Sequence, residues 1–231
     1  GSAIADVLAH AQDYVRVRLE RLSAAMDSGL ADVRARASGR LRRVDACVDV
    51  MLGKRRVFPN VCAGVHVPFL PADEYFDRDH FAWSAYYLWH YGKPIADAHE
   101  RCPHTVAALA EVPLVDLPGR MPNVFFSLMK PGAHIPPHTG VTNMRTIIHL
   151  PLIVPEGCRF RVGGETRFWR KGEALAFDDT IEHEARNPTA ELRAVLILDV
   201  WNPYLTAQER VVLTRSMEIA DEVGLSAGTI D

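Results

Sequence analysis

From Asn123 onward the chain alternates short apolar segments with turn chemistry. Val124–Met129, Thr146–Val154, Cys158–Val162, Glu165–Trp169, Ala174–Phe177, His183–Arg186 and Leu192–Trp201 have the length and residue content of strands. Pro131-Gly132, Pro155-Glu156-Gly157, Gly163-Gly164, Lys171-Gly172 and Asn187-Pro188 cut them apart. These segments predict a mainly β domain, a sandwich or barrel of the jelly-roll kind with its own core.

Helical signals lie at the two ends. Ile4, Val7, Leu8, Ala11, Val15, Leu19 and Leu22 recur at three- and four-residue steps, the apolar face of an amphipathic helix. Asp27-Ser28-Gly29 reads as a break before a second helical stretch over about 30–51. Residues 1–54 are thus expected to be a helical appendage packing on the core, and 55–231 the β domain. Within the latter, Trp83–Trp89 reads as a strand or buried aromatic element, and Val106–Glu111 as a short helix capped at or just before Thr105. Thr206-x-x-Glu209 is a capping box opening a C-terminal helix to about Val223.

Composition narrows the partners. With 26 Lys+Arg against 29 Asp+Glu, the net charge of -3 gives no electrostatic footprint for nucleic acid or an anionic membrane. Apolar runs such as Ile147 to Val154 are far shorter than the roughly 18 residues a membrane-spanning helix needs, so no membrane insertion is expected. Gly1-Ser2 reads as a cloning remnant, and no basic and apolar leader opens the chain. The 4 cysteines, Cys47, Cys62, Cys102 and Cys158, form no C-x-x-C pair and fit reduced thiols in a cytoplasm.

Of the 10 histidines, His138 follows Pro136-Pro137 and His183 opens a strand candidate, positions that a jelly roll can bring face to face. Two neutral imidazoles suit iron, zinc, copper or nickel. The carboxylate that usually completes such a site would stand two residues after the first histidine, where this chain has Gly140. Arg145 and Arg193 lie on or beside the strands that follow the two histidines. A dry barrel interior would require a counter-anion for each, and a buried arginine near metal ligands suggests a bidentate carboxylate ligand.

Phe126 to Arg210 resembles the aspartyl/asparaginyl β-hydroxylase family of Fe(II)/2-oxoglutarate dioxygenases. H-T-G-x-T-N-x-R from His138, F-D-D-x-x-E-H-E from Phe177 and D-V-W-x-P from Asp199 occur in order and at the family's spacing. Weaker similarity, including Cys102-Pro103 and Thr105, extends upstream to about Val57. The resemblance implies a double-stranded β-helix (jelly-roll, cupin-like) core with N-terminal helices and a C-terminal helix. It also implies Fe(II), 2-oxoglutarate and O2 as cofactor and co-substrates, with succinate and CO2 released as the β-carbon of an Asp- or Asn-type substrate is hydroxylated.

Carried over by position, His138 and His183 match the two iron ligands and Gly140 the family's own glycine. Asp179 matches an aspartate that hydrogen-bonds a metal-bound water. Arg193 and Ser127 match the pair holding the distal carboxylate of 2-oxoglutarate, His149 a residue near its chelating end, and Arg145 the arginine that clamps a substrate carboxylate or carboxamide. The apolar positions Ile148, Leu150 and Leu196 are expected to keep water out. Ile147 departs from the animal members, which carry a second arginine there. The animal members also have a helical-repeat domain, and its absence over this length favours a small molecule or short peptide as substrate. Other readings are the same chemistry on a lipid acyl chain or another small metabolite, a 2-oxoglutarate halogenase, and a cupin-like binding protein without turnover. His134 reads as structural, Glu182 and Glu184 as pointing away from the interior, and Trp83, Tyr86, Tyr87 and Trp89 as core.

Overall fold

The computed structural model describes residues 16–17, 20–21, 23–32, 34–35, 82–117, 119–140 and 142–223. The helical stretches expected before residue 16 and over 36–51 lie outside these, as does the expected boundary at 54/55. The chain divides into two compact units, Gly64–Tyr204 and a second made of Gly1–Ala63 with Leu205–Asp231.

In the first unit β1 (Trp83–His90), β2 (Lys93–Pro94), β3 (Val124–Met129), β5 (Arg145–Ile153), β8 (Leu175–Phe177) and β10 (Arg193–Trp201) build a six-stranded sheet in the order β2-β1-β3-β10-β5-β8. Strands β4 (His134–His138), β6 (Arg159–Val162), β7 (Glu165–Phe168) and β9 (His183–Arg186) build a four-stranded sheet in the order β4-β9-β6-β7. All pairings are antiparallel. Met129 and Val195 from the first sheet and Phe160 and Ala185 from the second share one buried cluster, so the sheets meet face to face in a jelly roll.

β10 is central to the larger sheet and buried on both faces, hence its nearly continuous apolar sequence. Its period of two sends Val195 and Ile197 to the cluster between the sheets, while Leu196 and Leu198 pack behind with Leu88, Val124, Ala98 and Leu109. The last two belong to α1 (Ala96–Arg101) and α2 (Pro103–Leu109), which cover that outer face. Ile148, Leu150 and Leu196 lie there too, so their expected place beside the site is corrected: they alternate with the inward-facing His149 and Val195.

Two local expectations shift for identifiable reasons. α2 begins at Pro103 rather than Val106 because proline at the first helical position forfeits no intrahelical hydrogen bond; Thr105 lies inside the helix, and Cys102 is the cap without a side-chain bond. β4 is a strand despite Pro136-Pro137 because it is a sheet edge, with a register irregularity between Ile135 and His138 that accommodates the prolines.

In the second unit the capping box appears as read: Glu209 N–H donates to Thr206 Oγ1 at 3.2 Å and Thr206 N–H to Glu209 Oε2 at 2.8 Å, opening α3 (Ala207–Glu222). The break expected at Asp27-Ser28-Gly29 is absent, since residues 23–32 are helical throughout. Gly29 serves close packing instead, as a Cβ there would come within 2.5 Å of Ile219 Cδ1 on α3. Among the described residues no helix is long and apolar enough to cross a membrane.

Candidate functional site

His138 ends β4 and His183 starts β9, and the two are register partners across the sheet. Their ring centroids lie 4.1 Å apart with planes at 56°. His138 Nδ1 stands 2.8 Å from the Pro136 carbonyl and His183 Nδ1 2.9 Å from that of Ile181. A carbonyl only accepts, so each ring donates from Nδ1 and keeps its lone pair on Nε2, the tautomer of a metal ligand whose ring is aimed by the backbone. Burial lowers both pKa values, His183 to about 4, with the neighbouring His138 adding to the effect. Both are therefore neutral near pH 7, as metal binding requires.

Gly140 and Asp179 fit together beside this pair. A Cβ on Gly140 would overlap the Asp179 carboxyl, and the Gly140 N–H donates to the Asp179 carbonyl. Asp179 is buried, which raises its pKa to about 6 against the opposing pull of Arg145. Its Oδ2 accepts from Arg145 Nη2 at 2.7 Å, whereas its buried Oδ1 has no partner among the described residues. No cluster of three or more His, Cys, Asp and Glu side chains that would hold a metal forms among those residues; what the fold brings together there is the pair His138–His183.

The two arginines differ in their surroundings. Arg145 donates to Asp179 and, from Nη1, to Asp199 Oδ1 at 2.5 Å. One guanidinium between two carboxylates has its positive charge matched within the chain. Arg193 is 1% exposed and forms no ion pair among the described residues. Its Nη1 donates to the Ser127 carbonyl and Oγ at 3.0 Å, its Nη2 meets Met129 Sδ at 2.8 Å, and its Cζ sits 4.6 Å above the Trp169 ring. Burial pulls its pKa down to about 10.

His149, buried against Phe160, Trp169 and Phe177, is held well below the ordinary histidine range by burial and then by Arg193 and His183. Its Nδ1, Arg193 Nε and Trp169 Nε1 are all buried without a partner among the described residues. Such a set, a lone cation with unsatisfied polar nitrogens, suits a carboxylate ligand. Ile147 is buried in β5.

Of the expected site residues, Ser127, Arg145, His149 and Arg193 lie on the larger sheet, His138 and His183 on the smaller, and Asp179 in the turn before β9. Sequence reasoning missed Asp199, Asn123 and Trp169, and Trp83, read as core, also donates from Nε1 to Ser127 Oγ at 2.8 Å, while Asn123 holds Asp199. Asp199 opens the D-V-W-x-P motif, and that was the signal available. His134 is structural, bonded to Glu184 at 2.8 Å; Glu184 and Glu182 are taken by Arg161.

A jelly roll with a cross-strand histidine pair and a buried arginine lacking a counter-charge among the described residues is the class of fold and site the chain presents, and sequence comparison identifies its family. The family model described as Aspartyl/Asparaginyl beta-hydroxylase matches residues 63–203. The mouse Aspartyl/asparaginyl beta-hydroxylase is 42% identical over 144 residues, 62% of this chain and 19% of that protein, and the human one 41% identical over the same length. The Ornithine lipid ester-linked acyl 2-hydroxylase of Rhizobium tropici is 36% identical over 141 residues, 60% of this chain and 48% of that protein. A solved Cupin_2 domain of an XRE family transcriptional regulator from Enterobacter cloacae is similar at 12% identity and a TM-score of 0.35, covering 52% of this chain and 97% of that one. The chain belongs to the aspartyl/asparaginyl beta-hydroxylase family.

Proposed function

We propose that the Gly64–Tyr204 unit is an Fe(II)/2-oxoglutarate-dependent hydroxylase. The observation that carries this is Arg193, a buried cation without a carboxylate among the described residues, in the same barrel as the His138–His183 pair. His138 and His183 would hold iron through Nε2. Arg193 and Ser127 would bind the distal carboxylate of 2-oxoglutarate, and His149 would lie near its chelating end. Bound iron with 2-oxoglutarate and O2 supplies the oxidising power to replace C–H by C–OH, with succinate and CO2 as co-products. The chain's part would be to orient and enclose: Asp179 Oδ1, unpartnered among the described residues, would serve as a hydrogen-bond acceptor beside the histidine pair, and Phe160, Trp169 and Phe177 would exclude bulk solvent.

For the target, the family supports the β-carbon of an Asp- or Asn-type unit in a small molecule or short peptide. A second reading, the same chemistry on an acyl chain, is favoured by a specific observation: Arg145 is occupied by two aspartates and Ile147 is apolar and buried. Anaerobic titration of Fe(II) and 2-oxoglutarate into metal-free protein tests the chemistry. Wild type is expected to develop the weak visible charge-transfer band of chelated 2-oxoglutarate, and His138→Ala and Arg193→Ala to lose it; no band in wild type sinks the assignment. Succinate release over background in a panel of Asp/Asn-type and acyl compounds then separates the two targets.

A further inference from the structure

Asn123, Asp199, Arg145 and Asp179 form one line of hydrogen bonds. The Asn123 backbone N–H and side-chain amide donate to Asp199 Oδ2 at 2.8 and 3.3 Å, and Asp199 Oδ1 accepts from Arg145, whose other amino group reaches Asp179. Asn123 is itself fixed: its Oδ1 accepts from the Tyr91 N–H at 3.0 Å and its carbonyl from the Asp199 N–H at 3.2 Å. Both Asp199 oxygens are therefore used, and Asp199 is 1% exposed.

The line has a fixed end and a working end. Asn123 and Asp199 are tied to the backbone of β10 and of the segment before β3, while the far end is Asp179, whose Oδ1 has no partner among the described residues and whose carboxyl fills the space above Gly140. The two carboxylates define where the Arg145 guanidinium stands, since its Nε has no partner among the described residues. We propose that Asp199 is a positioning residue of the site: acting through Arg145, it fixes where the Asp179 carboxyl stands beside the His138–His183 pair. The role rests on the metal-site reading above, and it gives Arg145 the task of holding Asp179 rather than substrate.

The test is Co(II) titration in the presence of 2-oxoglutarate, read by affinity and by the visible d–d band, which reports cobalt coordination. Wild type, Asp179→Asn, Asp199→Asn and the double variant are compared. Asp199→Asn removes the charge and sets an amide N–H against the Asn123 donors. Each single variant should weaken Co(II) binding by about ten-fold and alter the band in the same sense, as loss of a partner to metal-bound groups does. The double variant should match Asp179→Asn to within about two-fold, because Asp199 has nothing left to position. Should Asp199→Asn fail to fold, Asn123→Ala, which removes only one donor to Asp199, is expected to shift the band the same way by less. Effects that multiply in the double variant overturn the proposal, as does an Asp199→Asn protein that binds cobalt like wild type. Wild type that binds no cobalt overturns the metal-site reading, and the positioning role with it.

Discussion

The carboxyl group of Asp179 occupies the space that any side chain at Gly140 would need. The position that ordinarily supplies a metal-binding carboxylate is left without a side chain, and an aspartate from 39 residues further along stands there instead. Gly140→Ala is therefore expected to displace Asp179 and weaken metal binding by about ten-fold, since groups that orient metal-bound water are sensitive to such shifts. Equilibrium titration with Co(II) checks this, and an unchanged affinity would show that the close fit has no bearing on the metal.

Burial shifts two groups of this site with opposite consequences for stability. Between about pH 4 and 6 the folded domain lacks the proton that His183, ordinarily near 6.5, binds when unfolded. Over the same range it keeps a proton on Asp179, whose ordinary value is near 3.8. The histidine makes stability rise with pH and the aspartate makes it fall, so the two offset each other. Asp179→Asn removes only the second effect. In metal-free protein its stability should rise with pH across that window more steeply than that of wild type, by on the order of 1 kcal/mol per pH unit. Urea unfolding at several pH values measures the slopes, and parallel slopes would refute the assignment.

Strand pattern and turn chemistry made much of the β domain legible: Val124–Met129 and His183–Arg186 have the expected bounds. β4 was not, because Pro136-Pro137 argues against a strand and only the fold reveals that it is an edge. The histidine pair could be named from its motifs. The aspartates that flank Arg145 were not legible, since they lie 34 and 54 residues away and are brought to it only by the fold.

Arg193 is kept at a cost to the folded state, because a buried guanidinium with neutral partners has lost hydration without gaining a counter-charge. Arg193→Met should raise the stability of the ligand-free protein by about 1–3 kcal/mol, of the order found when buried charges are replaced by apolar side chains. The same variant should abolish binding of 2-oxoglutarate. Thermal unfolding with and without 2-oxoglutarate and a divalent metal distinguishes the effects: a higher Tm without ligand and no rise on adding it. A variant less stable than wild type without ligand would mean that the hydrogen bonds to Ser127 outweigh the missing charge.

Gly29 offers a separate test, confined to the helical unit. Alanine is favoured over glycine within a helix by about 1 kcal/mol, so on propensity alone Gly29→Ala should stabilise. Its Cβ, however, would come 2.5 Å from Ile219 Cδ1 and 3.0 Å from Cγ1, and Ile219 is 1% exposed. Overpacking of this kind costs about 1–3 kcal/mol, enough to reverse the sign, and Gly29→Ala is expected to be destabilising. Ile219→Val deletes the nearest methyl and should relieve the clash. The alanine substitution then recovers part of its helical advantage, and urea unfolding should give a favourable coupling of at least about 0.5 kcal/mol between the two sites. Gly29→Ala that stabilises the wild-type background would show that the helices part readily there, and that the glycine is not required for their approach.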